Sequence, residues 1–155
     1  MMNMSDILRA EAVRSVASAS SKKQLLQSIS DHAEAVYGVD SREVLEALQM
    51  RESLGTTGVG KGVAIPHARF KGVDGIVGLF TRLEKPVNFD SLDKQPVDLV
   101  FTLLAPIADN PDHLKALALV SRTLRQKEIC EKLRFNSDPQ TLFSILTEYT
   151  ATKAA

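Results

Sequence analysis

Residues 55–67, GTTGVGKGVAIPH, decide between two folds. Gly55, Gly60 and Lys61 stand at the G-x-x-x-x-G-K spacing of a phosphate-cradling loop, but the next position is Gly62 where a magnesium-ligating Ser or Thr is needed. Context also argues against that reading. A phosphate-binding loop follows a strand and opens a helix. Here a helical pattern precedes the glycines, and the apolar run Val63–Ile65 follows them. The helix N-terminus that would face a β-phosphate is therefore missing. A nucleotide is not expected. The glycines instead make an irregular loop that leads into a short buried strand ending at Pro66, with His67 fixed directly behind the proline.

Upstream, Ser21 and Gln24 form a capping box, and Leu25, Ile29, Ala33 and Val36 make the apolar stripe of a helix closed by Gly38. Asp40 caps a second helix, with Glu43 in its first turn, and Val44, Leu45 and Leu48, with Ala47, on its buried face. Residues 1–20, with the run SVASASS, read as a loop leading into the domain. Downstream, 76–80 reads as strand and 86–89 as a separate short edge strand, where a proline is tolerated. Residues 97–104, VDLVFTLL, are apolar on both faces, the mark of a strand covered on both sides. Asn110-Pro-Asp112 then starts a helix from His113 to about Gln126, with Leu114, Leu117, Val120 and Leu124 inward. A shorter helix covers 127–135. A last one, capped by Asp138 with Pro139 at its first position, buries Leu142, Ile145, Leu146 and Tyr149. The expected fold is α/β: one domain over 1–155, its core at about 5–150, with a mixed sheet covered by helices on both faces.

Composition narrows the function. Nineteen basic residues balance nineteen acidic ones, so nothing marks a nucleic-acid partner or an anionic membrane. No apolar run reaches the roughly 20 residues of a membrane span. The single cysteine, Cys130, shares a helical face with Ile129 and Leu133 and reads as a small buried hydrophobe. A cytoplasmic location fits a chain with no disulfide framework and no signal-peptide core.

Chemistry then rests on few residues. His67 has a rigid backbone mount and an unperturbed pKa near 6.5, which suits a nucleophile or base. A structural histidine, hydrogen-bonded at the sheet rim, is the alternative. His113 opens a helix, where amides and the dipole favour an anion, and together the two imidazoles could flank a phosphoryl group. Zinc would need a third ligand such as Asp112 or Asp98, and no ligand spacing is recognisable. Arg51 closes the second helix, where a cation also simply complements the dipole. Lys61, Arg69 and Lys71 read as solvated charges, and His32 as structural or exposed. No cofactor or metal is expected.

The segments RESLGTTGVGKGVAIPHA (51–68), KPVNFDSLDKQPVDLVFTLLAP (85–106) and DHLKALALVSRTL (112–124) closely resemble the enzyme IIA proteins of the bacterial phosphotransferase system, fructose–mannitol class. Among its subgroups the likeness is greatest to the nitrogen-regulatory IIA proteins. The resemblance implies the fructose/mannitol-type IIA fold. It implies that His67 accepts a phosphoryl group from a histidine-phosphorylated, HPr-like carrier, that His113 is the second active-site histidine, and that Arg51 is the cation beside the phosphoryl group. It also implies a phosphocarrier with regulatory protein targets; the alternative is a sugar-specific IIA component that passes phosphate to an enzyme IIB. Ala68 departs from the pattern, since many members carry glycine there. On this reading the glycines of 55–62 bend the loop beside His67 and present backbone amides to the phosphoryl group.

Overall fold

The computed structural model describes residues 2–108 and 110–154, with side chains up to residue 148. Two caps expected from sequence set the first helices. Ser21 Oγ accepts from the Gln24 amide at 3.1 Å to open α1, Lys22–Tyr37, and Gly38 closes it at φ +71°. Asp40 accepts from the Glu43 amide at 3.1 Å to open α2, Ser41–Ser53.

The sheet is built on two long strands. With the short strands numbered in chain order, β1 is Leu8–Val16, β2 Gly58–Gly60, β3 Val63–Ala64 and β4 His67–Arg69. Then come β5, Val77–Val87, and β6, Val97–Ala105, followed by α3 (Asp112–Leu124), α4 (Lys127–Arg134) and α5 (Pro139–Ala154). The order is β1-β5-β6-β3-β2, with β4 also on β6. β5 and β6 are antiparallel, whereas β1 runs parallel to β5, and β3 and β4 run parallel to β6. This is a mixed sheet of six strands in a single domain. Eight of the nine residues of β6 are buried, so both of its faces are covered. α1 packs on β1 and β5, α3 on β6, α4 on β5 and α5 on β1. Phe80, Phe101, Leu99 and Leu103 lie at the centre, each worth roughly 1.5–3 kcal/mol of burial.

Several expectations from sequence need correction. Residues 1–20 are not a loop: a 3-10 turn at Met4–Asp6 precedes β1. The strand is a sheet edge with exposed Arg9 and Glu11, so no long apolar run announces it. Residues 86–89 do not form their own strand. Pro86 and Val87 finish β5, and Val87 pairs with Val97. The glycine loop is partly regular, since β2 pairs antiparallel with β3. Leu114 is 70% exposed rather than inward; Ala116 and Leu119 share the buried face of α3 instead. Tyr149 lies outside the described side chains.

All three histidines titrate below their ordinary value, chiefly because burial disfavours the charged ring. At His32, a bond between Nε2 and the Glu11 carbonyl (3.0 Å) works the other way, and the Arg14 charge adds to the lowering. A histidine depressed in the folded state binds protons more readily when unfolded. Its contribution is therefore complete above the unfolded value near 6.5 and is lost as pH falls below it. Urea midpoints should fall between pH 7.5 and 5.5, and His32→Gln should flatten part of that slope.

Candidate functional site

β3 and β4 are one strand line interrupted at Ile65-Pro66, because both keep the same offset along β6: Val63 faces Leu99, and His67 faces Leu103. At the break, the Ile65 amide donates to Thr57 O and the Leu103 amide to Pro66 O. His67 thus sits beside the C-terminal end of β6, the usual end for sites in parallel strands. α3 begins soon after β6 ends and carries His113 in its first turn.

The topology therefore brings together residues far apart in sequence. The His67 and His113 rings lie 5.9 Å apart between centroids, edge to face at 63°. Arg51, in the last turn of α2, donates from Nε to His67 Nε2 at 3.3 Å and from Nη1 to the Gly55 carbonyl at 2.9 Å. His67 Nδ1 stands 2.9 Å from the Ile65 carbonyl. A carbonyl can only accept, so Nδ1 carries the proton in the neutral ring. Nε2 is left with the lone pair, which is what the Arg51 N–H addresses. Burial lowers the His67 pKa first; the Ile65 bond opposes this, the Arg51 charge lowers it further, and Glu52 opposes it. His113 is 9% exposed, and its Nε2 has no hydrogen-bond partner among the described residues. Its pKa is lowered by burial, then by His67 and Arg69.

These side chains line an open cleft of 430 Å³ together with Ala47, Met50, Leu54 and Arg69. Met50 and Leu54 are 71% and 81% exposed, so the cleft has an apolar rim. Ala68 is buried in the β4 ladder opposite Leu104, where its methyl is accommodated. No group of three or more potential metal ligands occurs among the described residues.

Four amides of the glycine loop are committed elsewhere, against the expectation that they face the phosphoryl group. The amides of Gly55, Thr57, Gly58 and Lys61 already donate to Glu52 O, Glu52 Oε1, Thr56 Oγ1 and Asp93 Oδ2. They are not offered to an anion. A Cβ at Gly58 would run into Ser91 Oγ, and Gly62, at φ +80°, leaves room for the Arg134 guanidinium. Glycine here permits close packing of the hairpin, which Arg134 holds through Lys61 O and a two-pronged pair with Asp98 (2.8 and 2.9 Å).

Glu52 is the residue that sequence reasoning passed over. Its side chain is 7% exposed, pairs with Lys22 Nζ at 2.9 Å and accepts from both the amide and the hydroxyl of Thr57. Lys22 lies 4.5 Å above the Phe89 ring. One buried carboxylate thus ties the end of α2, beside Arg51, to the glycine loop and to α1. Its position in RESLGTTG, three residues before the first glycine, was the only available signal. Glu52→Gln keeps an acceptor for Thr57 but loses the charge facing Lys22. It should cost about 1–2 kcal/mol in chemical denaturation.

Comparison with known proteins gives the chain's family and fold. The family model for the phosphoenolpyruvate-dependent sugar phosphotransferase system, EIIA 2, matches residues 6–149. The nitrogen regulatory protein of Bradyrhizobium diazoefficiens is 47% identical over 153 residues, covering 99% of this chain and 100% of that one. Among solved structures, nitrogen regulatory protein IIA-Ntr from Neisseria meningitidis superposes with a TM-score of 0.84 at 38% identity, over 92% of this chain and 97% of that one. The mannitol IIA of Escherichia coli shares the fold, with a TM-score of 0.75 at 20% identity over 90% and 98% of the two chains.

Proposed function

Since the chain belongs to the EIIA 2 family of the phosphotransferase system and groups with its nitrogen-regulatory members, we propose that it is a phosphohistidine carrier that regulates partner proteins by its phosphorylation state. His67 Nε2 attacks the phosphorus of a phosphohistidine on a small HPr-like carrier. The new N–P bond forms as the carrier's N–P bond breaks, and the carrier's imidazole leaves with the electron pair. No proton need be removed from Nε2, because the ring proton resides on Nδ1 and stays bonded to Ile65. The observation that carries this reading is the neutral tautomer, with its lone pair turned to an arginine.

Charge stabilisation then falls to side chains, since positioning and electrostatics dominate phosphoryl transfer. Arg51 neutralises the equatorial oxygens, and His113 Nε2 gains in the transferred group the partner it lacks among the described residues. The exposed Met50 and Leu54 give the carrier an apolar surface to cover. Phosphorylation adds about −1.5 to −2 charges by analogy with other phosphorylated side chains, enough to change which targets this face accepts. No helix among the described residues is long and apolar enough to cross a membrane.

Incubation with phosphoenolpyruvate and the relay donors should incorporate one acid-labile phosphate per chain. A chase with enzyme IIB domains separates two roles. Retained label supports the regulator, and rapid loss to a IIB domain assigns the chain to sugar transport.

A further inference from the structure

A second cavity, of 310 Å³, opens between the β2–β3 hairpin and the C-terminal half of α3. Its floor is aliphatic: Val63, Ile65 and Leu124 line it and are 3%, 5% and 4% exposed. Its mouth is cationic. Lys61 and Arg125 are both exposed, and neither side chain makes an ion pair or hydrogen bond with another described residue. Ser121 adds a hydroxyl beside Arg125. The cavity contains none of the phosphoryl-site side chains, although its floor residue Ile65 supplies the carbonyl that holds His67 Nδ1.

We propose that this cavity binds a small amphipathic monocarboxylate, its aliphatic chain on Val63, Ile65 and Leu124 and its carboxylate between Lys61 and Arg125. The chemistry selects that class. A purely apolar ligand would make no use of two uncommitted cations flanking the opening. A phosphate could not use the Lys61 amide, which already donates to Asp93 Oδ2. One carboxylate matches a pair of side-chain cations. The volume, at the lower end for ligand pockets, suits a short chain.

Titration of the isotope-labelled protein with butanoate, hexanoate and octanoate tests the assignment by amide shifts. Saturable shifts should centre on Val59, Val63, Ile65 and Leu124, and affinity should rise about fourfold for each methylene that enters. Lys61→Glu and Arg125→Glu should each weaken hexanoate at least about tenfold, the scale of one charge-assisted bond. Hexylammonium should not bind. Arg125→Glu should still accept a phosphoryl group, so failure here and failure of the phosphocarrier reading are separable. Absence of saturable shifts, equal binding of hexylammonium, or affinity indifferent to chain length would each overturn the proposal.

Discussion

His67→Ala is expected to abolish acid-labile phosphate incorporation, a fall of more than about a thousandfold that leaves only background. The size of the effect follows from the geometry. No other described ring in the cleft is seen with one nitrogen, protonated, bonded to a backbone carbonyl and the other, unprotonated, turned to a cation; the bond from Nδ1 to Ile65 fixes the tautomer and the ring direction together. His113 cannot simply take over. It stands on another element, with its ring tilted 63° to that of His67. The fold should survive, because the ring is only half-buried and its one backbone hydrogen bond is worth about 1 kcal/mol. A thermal melt within a few degrees of wild type, beside lost incorporation, separates chemistry from stability.

Arg51→Ala should slow transfer about a hundredfold, the scale of removing one preorganised donor from developing charge. Arg51→Lys should recover only part of this loss. A lysine restores a point charge, but not the fork that addresses Nε2 and the Gly55 carbonyl at the same time. The pH profile gives a second readout. Burial and Arg51 both hold His67 below its ordinary value, so the neutral, nucleophilic ring persists as pH falls below about 6.5. In wild type the acid limb should therefore lie lower than for a free imidazole. In Arg51→Ala it should move upward, because one of the two lowering influences is gone. A merely structural arginine would change the rate without moving that limb.

The parts legible in sequence were those governed by local chemistry. Ser21, Gly38, Asp40 and Asp138 announce helix ends through bonds or backbone angles spanning a few residues. β6 announces itself because burial on both faces leaves no polar alternation to interpret. β1 was missed for the opposite reasons. It is an edge strand whose apolar residues are interrupted by Arg9, Glu11 and Arg14, and its partner residues Gly78–Leu83 lie far along the chain. The exposed Leu114 broke the stripe read through Leu114, Leu117, Val120 and Leu124, while the buried Leu119 had been left off it. At the site, Pro66-His67 could be recognised as a rigid mount, but the closeness of His113 could not be read from its spacing. That closeness depends on the register of β4 against β6 and on where α3 turns back. Glu52 carried no signal of its own, because only the folded loop brings Thr57 and Lys22 onto it.

Nitrogen-15 and phosphorus NMR of the singly phosphorylated protein, resolving which ring nitrogen of His67 bears the phosphoryl group, tests the account most directly. Phosphorus coupled to Nε2, with Nδ1 still protonated and in its bond to Ile65, is the expected result. A phosphoryl group on Nδ1, or on any other residue while His67 stays unmodified, would contradict it.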